Sequence, residues 1–376
     1  MRASGTAGLS GSVAHGVTAT PKSAHHWAMR SPEPTPRELD CVIVGGGAAG
    51  LSAAVNMGRM RRSVLLVDER DRFMWQHVTY NYLGFPDGIR GDEIRRLGWR
   101  HAANYGVSLL IGHVAGATRE GDGFRLRIER VPEGGMFGGR PGPSVARDAE
   151  MASMFDEVPE AGPIEVVART VILATGVIGH FPEFPGRNEC VGQSLFWCIH
   201  CEGHESIDRT VGVVGHGEDA VGTALDLLVF TDRVTIVAGR PEGFDVPASR
   251  LADLAANGIA AHACGVAEFE NKDGQMQALV LDDPGRTRIP VEQVYTIRGT
   301  RATNELARQL GVELNPSGQI AVTSEQHTNV PGVYAAGDAT NLHDHQLSAA
   351  VHEGNQAAFG ANYHLYSPVQ RDPGDA

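Results

Sequence analysis

Ordered patterning begins at Asp40, where Cys41-Val42-Ile43-Val44 makes a short apolar run ending in glycines. A run this short without polar alternation reads as a strand buried on both faces, as in a parallel sheet. From Ala48 to Met60 the period becomes helical, with Leu51, Ala54, Val55 and Gly58 on one face. Residues 63–68 are apolar again and read as the next strand, completing a βαβ unit. Gly121-Asp122-Gly123 then turns residues 117–120 into 124–130, a hairpin. Residues 131–162 are rich in Gly, Pro, Met and acids without a period, so a long inserted loop is expected there. Residues 166–173 resume as a strand that closes on Ala174-Thr175-Gly176. A second βαβ unit starts at Thr210, with strands over 211–214 and 234–237 around a helix over 219–230. Another buried strand at 333–336 and a helix over 348–363 follow. The grammar is α/β, with a repeated nucleotide-type unit.

Composition narrows the class. A chain of 376 residues suggests two domains, and 42% hydrophobic residues can fill their cores. The net charge of −13 argues against an electrostatic grip on nucleic acid or an anionic membrane. No run of about 18 apolar residues occurs, so no span is expected. Five cysteines are too few for a secreted disulfide scaffold, and a cytoplasmic protein is expected. Residues 1–38 hold few large apolar side chains and no apolar signal segment, and read as a disordered leader or as a start codon assigned upstream of Met29. The last ten residues read as a polar tail.

Four motifs carry chemistry. Gly45, Gly47 and Gly50 fit G-x-G-x-x-G between a strand and a helix: a tight turn, a close approach to a pyrophosphate, and close helix–strand packing. Asp68 ends the second strand, where a carboxylate accepts from ribose hydroxyls. Gly215, Gly217 and Ala220 form G-x-G-x-x-A in the second unit, whose second strand ends Ala238-Gly239-Arg240. With no acid there, Arg240 is the candidate for a 2′-phosphate; a turn that keeps the fold without binding nucleotide is the competing reading.

Cys198 and Cys201, followed by Glu202, can close a small disulfide with an acid beside it to move a proton. A zinc site from Cys198, Cys201, His204 and Cys190 is the competing reading; lacking a second paired motif, no metal is expected. The run 332–338 ends a strand in Gly337-Asp338, which can place a carboxylate and amides at a second part of a cofactor.

Together these motifs resemble the low-molecular-weight thioredoxin reductase family. The order GGGAAG at 45–50, NYLGFPDGI at 81–89, ATG at 174–176, CIHC with EG at 198–203, GHGEDA at 215–220 and GVYAAGD at 332–338 carries the resemblance, which covers residues 40 to about 365. It implies two Rossmann-like dinucleotide-binding domains, the second inserted into the first, with a small β-meander in the FAD domain. The implied division is a leader over 1–38, the first FAD segment over 39–179, a pyridine-nucleotide domain carrying the cysteines over 180–295, the second FAD segment over 296–366, and a tail over 367–376.

By the same resemblance Cys201 lies nearest the flavin, Cys198 attacks the partner disulfide and Glu202 is the acid. Asn81, Gly176, Gly337, Asp338 and Gln346 join the first glycines around FAD. The partner implied is thioredoxin or a similar dithiol protein, the assembly a homodimer. Two departures bear on the donor: the family commonly closes the second strand with His-Arg-Arg, and His216 stands where glycine is usual. Weak NADPH binding is therefore expected, with ferredoxin or a dithiol as other donors. An oxygen-dependent dithiol oxidase and a non-enzymatic flavin redox sensor stay open.

Overall fold

The computed structural model describes residues 38–69, 78–131, 154–342 and 345–370. The expected leader, except Glu38, lies outside the described residues, as do residues 132–153 of the expected insertion and 371–376 of the tail.

The larger sheet has eight strands. Across it run His113–Glu120, Gly123–Glu129, Ile164–Leu173, Glu38–Val44, Val64–Asp68, Ser108–Ile111 and Asp156–Glu157, with Val333–Ala335 also on Ile164–Leu173. The strand Ile164–Leu173 changes neighbours along its length. Its first half pairs antiparallel with Gly123–Glu129, and its second half pairs parallel with Val333–Ala335. A late segment of chain thus completes a sheet begun nearly 300 residues earlier. The hairpin and the first half of that strand form the expected meander.

The apolar run at the start of the chain is buried on both sides because successive side chains point to opposite faces. Cys41 and Ile43 enter a core with the helices Ala48–Arg59, Gly91–Ala103 and Leu347–His364. Val42 and Val44 enter a second core with Phe124, Leu126 and Ile320. Gly354 lets two of those helices touch: a Cβ there would stand 2.0 Å from the Ala49 carbonyl oxygen.

The smaller sheet is parallel throughout, in the order Leu195–Phe196, Gln293–Thr296, Val211–Val214, Val234–Val237, Ala260–His262. The helices Glu218–Asp226 and Ala248–Ala256 belong to one face. An antiparallel sheet, Gly265–Lys272, Gln275–Asp282 and Arg288–Pro290, covers the other through Phe269, Met276, Leu279 and Leu281. The two chain crossings between the larger and the smaller sheet pair with each other as Val177–Gly179 and Thr300–Ala302.

Two expectations need correction. The segment 131–162 is not all loop: Asp156–Glu157 extends the large sheet beside Ser108–Ile111, Phe155 packs edge-on against Trp99 at 5.0 Å, and Val158 is buried. A two-residue strand is too short to show a period. The strand Glu38–Val44 also takes in Glu38, the last residue assigned to the leader. Among the described residues no helix is long and apolar enough to cross a membrane.

Candidate active site

A cavity of about 570 Å³ opens where the large sheet ends, lined by the first glycine turn, by Ala174-Thr175-Gly176 and by Gly337-Asp338. Each glycine of the turn has its own steric reason. Gly45 has φ +104°, and a Cβ there would lie 2.2 Å from the Ala174 carbonyl oxygen. At Gly50 a Cβ would lie 1.8 Å from the Gly45 carbonyl oxygen, so helix and turn close only without one. Gly47 precedes the helix Ala48–Arg59, whose first N–H groups carry no side-chain cap and face an anion-binding position. Gly46, an unassigned position of the motif, is also required: a Cβ would stand 2.3 Å from Asp68 Oδ2.

Asp68 lines the cavity, but its carboxylate is not simply free for a ribose. It forms a buried ion pair with Arg95, whose Nε also donates to the Gly46 carbonyl at 3.3 Å. The Arg95 guanidinium lies 4.7 Å over the Trp99 ring. From the cavity wall a stack thus runs inward, from Asp68 and Arg95 to Trp99 and Phe155 in the core. Sequence reading missed Arg95, since nothing local ties the helix Gly91–Ala103 to a strand end 27 residues earlier.

At the other end Gly337 takes φ +79° and donates its N–H to Glu353 Oε2 at 2.6 Å. Thr340 Oγ1 donates to the same oxygen at 3.3 Å. Glu353, only 2% exposed on the helix Leu347–His364, fixes the Gly337-Asp338 turn and was likewise missed. Burial pushes the Asp338 carboxyl above its ordinary value, against the pull of His345 and with the push of Glu353. Gly176 has φ +66° and accepts from the Thr303 N–H at 3.0 Å.

The cysteines meet this cavity. Cys198 and Cys201 form a disulfide across the turn Ile199–Glu202, with Cα atoms 5.3 Å apart. Cys201, Glu202 and Trp197 line the cavity. Gln346 Nε2 lies 3.3 Å from Cys201 Sγ and 3.6 Å from Cys198 Sγ. Its Oε1 accepts from Asn81 Nδ2 at 2.9 Å, and Asn81 Oδ1 accepts from Thr79 Oγ1 at 2.8 Å. Two residues 265 positions apart are therefore brought together over the disulfide.

A carboxylate oxygen of Glu202 and both sulfur atoms lie within 4.8 Å of one another. Burial pushes the Glu202 carboxyl up to about 8, eased by a backbone hydrogen bond and raised further by Glu205. Neither partner of the zinc reading joins them: His204 is exposed, and Cys190 is packed in the core beneath the antiparallel sheet.

The second turn is built like the first but furnished differently. A Cβ at Gly215 would meet the Ile297 carbonyl oxygen at 2.5 Å and Ala220 Cβ at 2.7 Å, which explains the small residue at Ala220. Gly217 faces open space. Arg240 turns back on its own loop, its Nε donating to the Gly243 carbonyl at 2.8 Å. Glu218 and Asp219 occupy the first turn of the following helix, and Glu218 is paired with Arg250. A cavity of about 840 Å³ beside the strand ends is lined by Val214, Gly239 and Arg298 and by three acids, Glu183, Glu268 and Glu270. The turn suits a pyrophosphate; the cations for a 2′-phosphate are not gathered.

A family model for the pyridine nucleotide-disulphide oxidoreductases matches residues 39–357. The F component of alkyl hydroperoxide reductase in Pseudomonas putida is 26% identical over 345 residues, covering 87% of this chain and 58% of that protein. The chain thus spans a little over half the length of that relative. The solved structure of an oxidoreductase from Agrobacterium tumefaciens is 26% identical with a TM-score of 0.67, covering 87% of this chain and 98% of the other. Thioredoxin reductase from Streptococcus pyogenes is 22% identical with a TM-score of 0.73, covering 88% and 99%, and shares the fold. The family match implies FAD, with NADPH as second cofactor. The first cavity fits FAD: a glycine turn and an uncapped helix start for the pyrophosphate, Asp68 at one end, and Asp338 with Gln346 at the other. With its two nucleotide-type sheets and a disulfide at the mouth of the first cavity, this chain belongs to the pyridine nucleotide-disulphide oxidoreductase family.

Proposed function

We propose that the protein is a disulfide reductase that sends electrons from FAD through Cys198–Cys201 to thioredoxin or a similar dithiol protein. The observation that carries this reading is the disulfide at the cavity mouth, with Gln346 against both sulfurs. Bound FAD supplies two electrons to that disulfide. Gly45, Gly47, Gly50, Asp68, Asn81, Gly176, Gly337, Asp338 and Gln346 hold it. The domain division 39–179, 180–295 and 296–366 belongs to the same reading. Cys201 is the inner sulfur, since it lines the cavity, and Cys198 is the outer one that attacks the partner. Glu202, buried and close to both, holds the proton that one sulfur takes when the bond opens.

The donor follows from the second turn. Gly215, Gly217 and Ala220 admit a pyrophosphate, and Arg240 supplies one guanidinium. Missing one charge-assisted hydrogen bond costs about 1.5–3 kcal/mol, or roughly 10- to 150-fold in affinity. NADPH is therefore a weak donor, NADH little worse, and reduced ferredoxin or a dithiol faster. Anaerobic mixing of the oxidised holoenzyme with each donor, followed by flavin bleaching, tests this. Fast bleaching by micromolar NADPH that survives Arg240→Ala would overturn this assignment of the donor. Reduction of a disulfide protein by the reduced holoenzyme tests the activity itself; hydrogen peroxide formed only on adding dithiol would instead favour an oxidase.

A further inference from the structure

Behind the disulfide Glu202 is joined by polar groups that have had no part in the reaction so far. Glu205 stands in the short segment Gly203–Ser206 that prolongs the Ile199–Glu202 turn. Oε2 of Glu202 and Oε2 of Glu205 are both buried, and neither accepts a hydrogen bond from the protein. The Ser206 hydroxyl donates to Gln293 Oε1 at 2.7 Å and meets the Tyr295 hydroxyl at 2.9 Å. Gln293 Nε2 donates to the Glu205 carbonyl at 3.0 Å and pins the segment. Tyr295 is fully buried, and its phenol is pushed up first by burial and then by the charges of Glu202 and Glu205. Among the described residues no cation acts on Glu202 or on Tyr295. A buried carboxyl such as Glu202, with a bare oxygen, no cation and a carboxylate close by, carries charge only at a high cost.

We propose that Glu205 is a positioning residue for Glu202: its carboxylate, three residues on along the same helical segment and with Oε2 buried, keeps a proton on Glu202 until the disulfide opens. The inference rests on Glu202 being the acid of the proposed reaction. Two electrons break the Cys198–Cys201 bond and leave two sulfur anions. Glu202 passes its proton to Cys198, which becomes a thiol, while Cys201 stays a thiolate. In the second half Cys198 returns the proton to Glu202 and its thiolate attacks the partner disulfide, forming a mixed disulfide and freeing one partner thiolate. Cys201 then attacks Cys198, re-forms the enzyme disulfide and frees the second partner thiolate. The partner gains two electrons, its thiolates take protons from water, and Glu202 ends as it began.

The sign of the pH effect follows. Glu202 is neutral below about 8 and loses its proton above that value. Without the Glu205 charge it loses the proton at lower pH. The test is the anaerobic rate of disulfide reduction by dithiothreitol, corrected per attacking thiolate, in the FAD-loaded protein from about pH 5.5 to about 9.5. Glu205→Gln should move the alkaline fall in rate down by about one pH unit, tenfold in proton affinity, and Glu205→Asp should restore it. An unmoved fall in Glu205→Gln, with the fall abolished in Glu202→Gln, overturns the role of Glu205 while leaving the proposed function intact. A fall unchanged in Glu202→Gln sinks the acid assignment and this inference together. Infrared difference spectra of the wild-type holoprotein need no variant: reduction at neutral pH should remove one protonated-carboxyl signal. A spectrum without carboxyl change overturns the proposal.

Discussion

Replacing Cys201 by Ser should abolish both disulfide turnover and any long-wavelength absorbance, whereas replacing Cys198 by Ser should abolish turnover and leave that absorbance in place. The asymmetry comes from position. Cys201 lines the FAD cavity and stands 3.3 Å from Gln346 Nε2, with Cys198 at 3.6 Å on the outer side. A Cys201 thiolate left alone by Cys198→Ser would lie on the cavity side and should give a charge-transfer band with bound oxidised flavin; a Cys198 thiolate left by Cys201→Ser should not. Each cysteine is needed for a separate bond exchange, so turnover should fall below about one thousandth in either variant, as when one member of a catalytic unit is removed. FAD content should be unchanged, because on the proposed reading it is held by the first glycine turn and Asp338 rather than by the sulfurs. Absorbance spectra of the two purified holoproteins and a disulfide-reduction assay decide the matter. Full turnover in Cys201→Ser would make the pair structural and end this mechanism.

The parts of the site visible in the sequence are those where the backbone itself is constrained. Gly45 and Gly50 leave a trace because no other residue fits within about 2 Å of a carbonyl oxygen. The apolar run at Cys41–Val44 is legible because both faces of that strand are covered. Arg95 and Glu353 were illegible for the opposite reason. Each acts across the fold, Arg95 on Asp68 and Glu353 on the Gly337 N–H, and neither sits at a spacing that local periodicity would mark.

The antiparallel sheet over Gly265–Lys272 and Gln275–Asp282 is an intermediate case. Its turn, Asp273-Gly274, has positive φ at both residues, a hairpin signal open to reading. Register shifts between Val266 and Glu268 and between Glu270 and Asn271 break the alternation that would have announced the strands. The last part of the expected insertion escaped for a simpler reason, since Phe155 and Val158 flank only a two-residue strand.

Asp68→Ala should damage the fold before it damages FAD binding. The side chains of Asp68 and Arg95 are 7% and 5% exposed. Removing the carboxylate leaves the guanidinium buried over Trp99, with the Gly46 carbonyl still accepting from its Nε. Breaking a buried pair by removing one member costs about 3–5 kcal/mol, because the guanidinium stays buried without the carboxylate it faced. Replacing both partners removes the buried charge as well, so Asp68→Ala with Arg95→Met should recover a large part of that loss. The double variant should still hold FAD less tightly than the wild type, since the ribose end of the cavity has lost its acceptor. Urea unfolding of the four proteins of this cycle gives the coupling, and FAD release on dilution gives the binding term separately. Gly46→Ala should act in the same direction by driving its Cβ into the Asp68 carboxylate. If Asp68→Ala unfolds at the wild-type urea midpoint and merely releases FAD faster, the pair contributes nothing to the fold, and Asp68 serves the cofactor alone.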